Sequence, residues 1–333
     1  MALPAYLSAL REMILDSDPV KAADLQRDAL ARRFPHLNQS ELSDLAEMDP
    51  ARLRVYTDLI FAGERSTLEY VYPASLAVIH RLRRTAGDEQ SHRLADFELV
   101  RELHRWRPWR SSSQRQLAAN FEAFIRARRQ EWLLAWAGLA DLLDFERTEL
   151  EVFYAADPPF ERVTAAKLNE LSNLTVEALL MLRVAVPSYV AFRSYVFNAP
   201  AFIARWRKTR ELPDPLPIAQ SASNQDSPTV RFVCGRDTET LLPCWHRQDA
   251  EPGFVFTEIV RDELLLVDDL ARRYLAALPA DYHRSEELLF AEFFERLAKW
   301  FRSGILMLAA TSQDRHKSLP PHNTSGGFSV SKP

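Results

Sequence analysis

Apolar residues recur at helical spacing through most of the first two hundred positions. Val55, Leu59 and Gly63, then Leu68, Val71 and Tyr72, then Leu76 and Ile79, follow the three-and-four rhythm of a helix face. They predict one long amphipathic helix from about Arg54 with a single buried stripe. It should bend at Pro73, where the ring removes a backbone donor and crowds the preceding turn. "LADFELVRELHRW" repeats the period through Phe97, Val100 and Leu103, and Ser111 to Ser113 offer N-caps for a helix carrying Leu117, Phe121, Phe124 and Ile125. "EWLLAWAGLADLLDFERTELEVFYAADPP", with Trp132, Trp136, Leu139, Leu143 and Leu150, reads as helix to about Phe153 and stops at Pro158 and Pro159. A further helix is expected over "NLTVEALLMLRVAVPSYVAFRSYVFN". Asn173 or Thr175 would cap it, Glu177 would sit in its first turn, and Pro187 would break it. Residues 1–210 are therefore expected to form a helical domain.

The pattern changes at "ELPDPLPIAQSASNQDSP", where proline, serine and asparagine replace large apolar residues and describe an exposed linker over 211–228. Beyond it the period shortens to two. "TVRFVCG" and "TLLPCWHR" flank "GRDTE" and predict a hairpin, with Pro243 confining the second strand to an edge or a bulge. In a simple hairpin centred near Asp237, Cys234 would face position 240 and Cys244 position 230. "FVFTEIV" offers a third strand. Two helices follow, "DELLLVDDLARRYLAAL" and "SEELLFAEFFERLAKWF", the second with Ser285 as N-cap and Gly304 as its stop. The expected fold is thus mainly α, with the helical domain followed by a small α+β winged-helix-like domain over 229–310. The tail, 311–333, lacks apolar content and is expected to be disordered.

Composition sharpens this picture. Eight glycines against twenty prolines favour helices with proline punctuation, and 333 residues exceed what one core usually organises. A formal net charge of −4 and a pI near 6.1 provide no global field that would draw the chain onto nucleic acid or an anionic membrane. The two cysteines cannot build a disulfide framework, so free thiols in a reducing cytoplasm are expected. The opening "MALPAYLSALREMILDSDPV" reads as amphipathic helix with early acidic residues and not as a signal peptide; no stretch reaches eighteen apolar residues.

The search for chemistry yields little. The phosphate-binding loop, the glycine-rich dinucleotide fingerprint and the G-x-S-x-G elbow are all missing from the sequence. A di-iron carboxylate bundle needs two Glu-x-x-His pairs, and one occurs, Glu89 with His92, in a polar run that reads as a loop. His246 near Cys244 lacks a third group. No catalytic residue and no metal ligand is assigned. The carboxylates Asp141, Asp144, Glu146, Glu149, Glu151 and Asp157 make either a solvated helix face paired with Arg147 or an acidic surface for a partner. In "RELHRWRPWRSSSQR", Arg105 and Trp106 belong to a basic and aromatic run. It could grip a single strand of nucleic acid or an acidic peptide, or its tryptophans could pack while its arginines snorkel.

Two segments carry a resemblance beyond generic helix. "RLRVYTDLIFAGERSTLEYVYPA", opened by Arg54 and Tyr56, and "LADLLDFERTELEVFYAADPP", through Leu139, Ala140, Asp141, Leu142, Glu146, Phe153 and Asp157, resemble the two signatures of the HvfC/BufC-like proteins. "LLMLRVAVPSYVAF" is similar to a third family helix, with Val186 where the family has an aromatic residue. The resemblance covers roughly residues 50–200. It implies a non-catalytic partner subunit of multinuclear iron-dependent oxidative enzymes, TIM-barrel proteins that modify residues, often cysteines, in ribosomally made peptides. Iron would then belong to the partner enzyme, with no cofactor in this chain. Arg54, Tyr56, Arg105, Trp106, Asp141, Glu146 and Asp157 become the expected partner interface.

The C-terminal module similarly looks like a precursor-peptide recognition element of the PqqD type, which takes a leader peptide as an added strand. The expected peptide contacts are Val230, Phe232 and Leu241 on the hairpin, within accepting edges at 230–234 and 240–246, and Phe290, Phe293, Phe294 and Leu297 on the last helix. Within the family the layout looks most like the partner of 3-thiaglutamate assembly, where the β-carbon of a C-terminal peptide cysteine is excised. The expected partners are therefore the iron enzyme, as a heterodimer, and a precursor peptide, with no nucleic acid and no membrane. The competing class is a winged-helix DNA-binding regulator, against which the acidic pI and the apolar last helix argue.

Overall fold

In the computed structural model, which describes residues 3–16, 21–87, 92–106, 113–216, 230–248, 256, 259–279, 282 and 284–309, the chain is mainly helical with small antiparallel sheets. The helices are α1 (Leu3–Ile14), α2 (Arg27–Arg33), α3 (Gln39–Ala46), α4 (Pro50–Val71), α5 (Pro73–Thr85), α6 (His92–Trp106) and α7 (Gln114–Arg128). They continue with α8 (Gln130–Ala135), α9 (Gly138–Phe153), α10 (Ala165–Ser172), α11 (Val176–Leu180), α12 (Ala199–Thr209), α13 (Val267–Ala276) and α14 (Glu286–Arg302). The strands are β1 (Phe160–Glu161), β2 (Arg183–Ala185), β3 (Ala191–Tyr195), β4 (Val230–Arg236), β5 (Pro243–Arg247), β6 (Leu265–Leu266) and β7 (Met307–Ala309). Two units share them: Met1–Glu151 with Tyr195–Thr229, and Val152–Ser194 with Val230–Pro333. The expected break at 210 does not follow these units, because Val152–Ser194 shares a core with the C-terminal residues. The expected tail, 311–333, and most of the expected linker lie outside the described residues.

The first unit is built from capped helices. Asn38 and Glu41 form a reciprocal capping box at the start of α3, and Asp49 accepts the Ala51 amide at 2.9 Å, with Pro50 at the first position of α4. At Pro73 the chain breaks rather than bends: α4 ends at Val71, α5 begins at Pro73, and Tyr72 joins them. The Tyr72 ring is fully buried 5.3 Å from Phe121, and its hydroxyl donates to the Ala118 carbonyl at 2.9 Å. Leu117, Phe121, Phe124 and Ile125 of α7 are buried as the pattern requires.

The phase of α4 differs from the expected stripe. Leu53, Thr57, Phe61, Leu68 and Val71 are its buried residues, the last two as expected, and Thr57 donates to the Ile14 carbonyl at 2.6 Å. Val55 and Leu59 are 57% and 64% exposed. The helix is apolar on two sides, and the side that packs against α1, α6 and α7 is the one led by Phe61.

In the second unit one sheet has the order β1-β7-β2-β6 and the other β3-β4-β5. The hairpin forms where expected, but its register pairs Cys234 with Trp245 and Gly235 with Cys244, so the pivot lies beyond Asp237. Pro243 opens β5, an edge strand, where its missing N–H costs no ladder bond. The third strand of that sheet is β3; no described residue of "FVFTEIV" lies in a strand, and Phe256 is instead buried with its ring 4.5 Å from Trp300. The helix expected across 173–198 is replaced by the short α11, which Thr175 caps, followed by β2 and β3. Ser285 caps α14, and Gly304 leaves it at φ +63° into β7. Phe293, Leu297, Trp300 and Phe301 of α14 pack into a core with Val184, Val190, Val233 and Leu270. The expected hairpin and its two following helices are present.

Candidate functional site

The second signature segment is α9, and its acidic residues turn inward. Glu146 is 3% exposed and binds the first turn of α5: one oxygen accepts the Ala74 amide at 2.9 Å, the other the Ser75 amide at 3.0 Å and its hydroxyl at 2.6 Å. Burial pushes this carboxyl up to about 7, against the three hydrogen bonds that favour the charged form. Asp141 accepts the Val196 amide at 2.6 Å, and burial raises it to about 6. Asp144 accepts from the Tyr195 hydroxyl at 3.1 Å, and Arg147 joins Glu122, Asp144 and Glu151 in one network. The expected interface role of Glu146 is therefore corrected. The Glu146 carboxylate is buried on backbone amides inside the first unit, and that of Asp141, half-buried, holds the Val196 amide.

The first signature segment behaves differently. Arg54 is exposed and Tyr56 is 57% exposed, and Tyr56 shares the outer side of α4 with Val55, Leu59 and, about three turns along, Tyr70 at 68%. This apolar and aromatic face includes residues the sequence pattern assigned to the core. The informative signal is Phe61, the one phenylalanine of α4, which marks the side that is buried. Arg105 is exposed, whereas Trp106 is half-buried with its ring 5.9 Å from Phe124. The rest of that basic run, 107–112, and Glu89 lie outside the described residues.

In the second unit, β4 is the middle strand, so Val230 and Phe232 cannot offer an accepting edge, and Phe232 is 3% exposed. Of the two expected edges only β5 stands at the side of its sheet. Phe293 and Leu297 are core residues, a correction to their expected role, while Phe290 and Phe294 are half-buried with stacked rings 6.5 Å apart. Leu241 is 38% exposed at the hairpin tip, with φ +60°.

Asp157 is anchored within its own unit. The buried Arg236 guanidinium donates to it at 2.9 Å and to the Ala155 carbonyl at 3.0 Å, Arg162 pairs with the same carboxylate, and Arg236 lies 4.5 Å from the Tyr189 ring. The Cys244 sulfur lies 3.2 Å from the Ser303 carbonyl, and burial pushes the thiol up to about 12, so it is not a nucleophile at neutral pH.

Among the described residues no group of three or more His, Cys, Asp or Glu side chains is placed to hold a metal, and no helix is long and apolar enough to cross a membrane. No protein-family model matches the chain, and no curated protein matches it.

Proposed function

We propose that this chain is a non-catalytic partner subunit that binds an iron-dependent TIM-barrel oxidative enzyme and a ribosomally made precursor peptide, presenting a peptide cysteine for modification. The observation that carries the reading is the outer face of α4, where Val55, Tyr56, Leu59 and Tyr70 each keep more than half of their surface in water. Val55, Tyr56 and Leu59 grouped on one side, with Tyr70 about three turns farther along it, supply the apolar and tyrosine side chains found at the centre of protein interfaces. It lies on the segment that resembles the HvfC/BufC-like signature. The edge strand β5, whose Cys244 meets Ser303 at the end of α14, supports a peptide-recognition role through strand addition, in the manner of a winged-helix recognition element, and the half-buried Phe290 and Phe294 lie earlier on that helix. Iron and the oxidative step belong to the enzyme in this reading, and the 3-thiaglutamate type of cysteine excision is its most specific form. The DNA-regulator alternative gains nothing from α14, whose middle is core and whose basic residues, Arg296, Lys299 and Arg302, all fall in its last two turns.

The test is co-expression with barrel enzymes of this class and purification through a tag on this chain. Copurification that is abolished by Leu59→Asp with Tyr56→Ala supports the reading. A chain that stays alone with every such enzyme, or a complex indifferent to both substitutions, removes its basis.

A further inference from the structure

We propose that the cleft between α5 and the segment leaving α12 binds a carboxylate set beside an aliphatic side chain, as on an acidic peptide, with Arg84 and Arg210 as the recognising pair. The cleft holds about 950 Å³, a volume in the range of small-ligand sites, and Leu76, Ala77 and Leu212 give it an apolar floor. Arg81, Arg84 and Arg210 all line it. Arg81 is already engaged: it donates to the Pro213 carbonyl at 2.7 Å and pairs with Asp214, which fixes the wall of the cleft. Neither Arg84 nor Arg210 forms an ion pair with a carboxylate among the described residues, and both are exposed to solvent at the rim.

Arg210 sits where its backbone would prefer another residue. It caps α12 at φ 58°, the left-handed conformation that glycine adopts without cost, and its N–H donates to the Trp206 carbonyl at 2.7 Å. Its guanidinium lies 4.7 Å from the Trp206 ring. Stacking on a ring orders a guanidinium without consuming its N–H edge, which is the side a carboxylate engages through two parallel hydrogen bonds.

Charge decides the class of ligand. Of the three acidic residues in the lining, Asp214 is paired with Arg81 and Glu69 with Arg65 at 3.3 Å, which leaves Glu211 to oppose the two arginines. This small positive excess matches a single carboxylate. It does not match a polyphosphate or a nucleic-acid strand, whose several charges exceed an excess of one. The site is independent of whether the α4 face takes an enzyme.

The full chain, labelled with ¹⁵N at its tryptophan indoles, is titrated with four probes while the Trp206 resonance, assigned through Trp206→Phe, is followed. The probes are acetyl-Leu-Glu-amide, acetyl-Ala-Leu with a free C-terminal carboxylate, acetyl-Leu-Gln-amide and inorganic pyrophosphate. At least one carboxylate peptide should bind about tenfold more tightly than the Leu-Gln amide, the factor expected of a charge-assisted pair. Which of the two binds identifies a side-chain or a terminal carboxylate. Arg84→Gln and Arg210→Gly should each lose that preference. Arg210→Gly also relieves the left-handed backbone, so its thermal midpoint should not fall, which separates loss of binding from loss of folding. The proposal is overturned if the Leu-Gln amide binds as well as both carboxylate peptides, if pyrophosphate binds best, if none of the peptides binds at millimolar concentration, or if the preference survives in both arginine variants.

Discussion

Glu146 caps a helix to which it does not belong: its carboxylate accepts both the amide of Ser75, at 3.0 Å, and the hydroxyl of the same residue, at 2.6 Å, at the start of α5. The side-chain cap that Tyr72 does not make is supplied from α9. Glu146→Ala leaves the Ala74 and Ser75 amides buried without an acceptor, a loss of about 2 to 4 kcal/mol. Glu146→Gln keeps a carbonyl acceptor and should lose less than half as much. Urea midpoints measured at equal slope decide this, and equal losses for the two variants would mean that packing and not capping is the role.

The same carboxyl makes stability depend on pH. Its folded value of about 7 lies above the ordinary 4.5, so between these limits the folded chain holds a proton that the unfolded chain has released. Stability is then fully present below about 4.5, falls as pH rises, and levels off above about 7. A shift of this size corresponds to a drop on the order of 3 kcal/mol. Asp141, raised from 3.8 to about 6, adds a fall of the same sign over a lower window. Unfolding free energies from pH 4 to 8 should decline for the parent chain and decline less for Glu146→Gln.

Arg236 and Asp157 form one ion pair with unequal ends. The Arg236 side chain is 7% exposed and also donates to the Ala155 carbonyl, whereas Asp157 is 66% exposed. An exposed carboxylate contributes little through such a pair, so Asp157→Asn should cost about 1 kcal/mol or less. Arg236→Met removes a buried guanidinium together with its hydrogen bonds to the Phe153 and Ala155 carbonyls and should cost about 2 to 4 kcal/mol. Thermal unfolding of the two variants tests the ordering, and a larger loss for Asp157→Asn would reverse the assignment.

Three glycines should respond to alanine in opposite directions. A Cβ at Gly235 would lie 2.2 Å from the Ser303 carbonyl oxygen, and one at Gly304 would lie 2.1 Å from that of Arg236 while its φ is +63°. Both contacts are backbone, so neither can be relieved by turning a side chain. Gly235→Ala and Gly304→Ala should destabilise strongly or fail to give soluble protein. At Gly63, inside α4, nothing lies within 4 Å, and Gly63→Ala should stabilise by about 0.5 to 1 kcal/mol. Circular dichroism melts of the three variants suffice.

What could be read from the sequence divides along local and distant causes. The Ser285 and Thr175 caps and the existence of the β4–β5 hairpin depend on neighbours a few positions away and were legible, whereas at Pro73 only a bend was read where the helix in fact breaks. Strands β2 and β3 were not. "LRVAVPSYVAF" has enough leucine and alanine at its start to continue a helix, and β2 exists because Val184 pairs with Leu265 and Leu308, more than eighty residues away. Glu146 reads as part of a solvated face for the same reason: its partners on α5 are invisible to any local period. The exposed Arg54 and Tyr56 could be placed on an outer surface, but Val55 and Leu59 beside them could not.

That ambiguity on α4 is open to direct measurement. Two apolar faces compete for burial along the helix, one through Leu53, Phe61 and Leu68, the other through Val55, Leu59 and Tyr70, and the fold buries the first. If so, Phe61→Ala opens a core cavity and should cost about 3 to 5 kcal/mol. Leu59→Gln and Tyr70→Gln remove side chains that already face water, so each should change stability by no more than about 0.5 kcal/mol. Their solubility should rise, since an apolar face left in water promotes self-association. Denaturation paired with light scattering separates the two effects. A loss at Leu59 comparable to that at Phe61 would mean that the outer face of α4 is covered within the chain itself, and a face covered in that way cannot be the surface on which an enzyme docks.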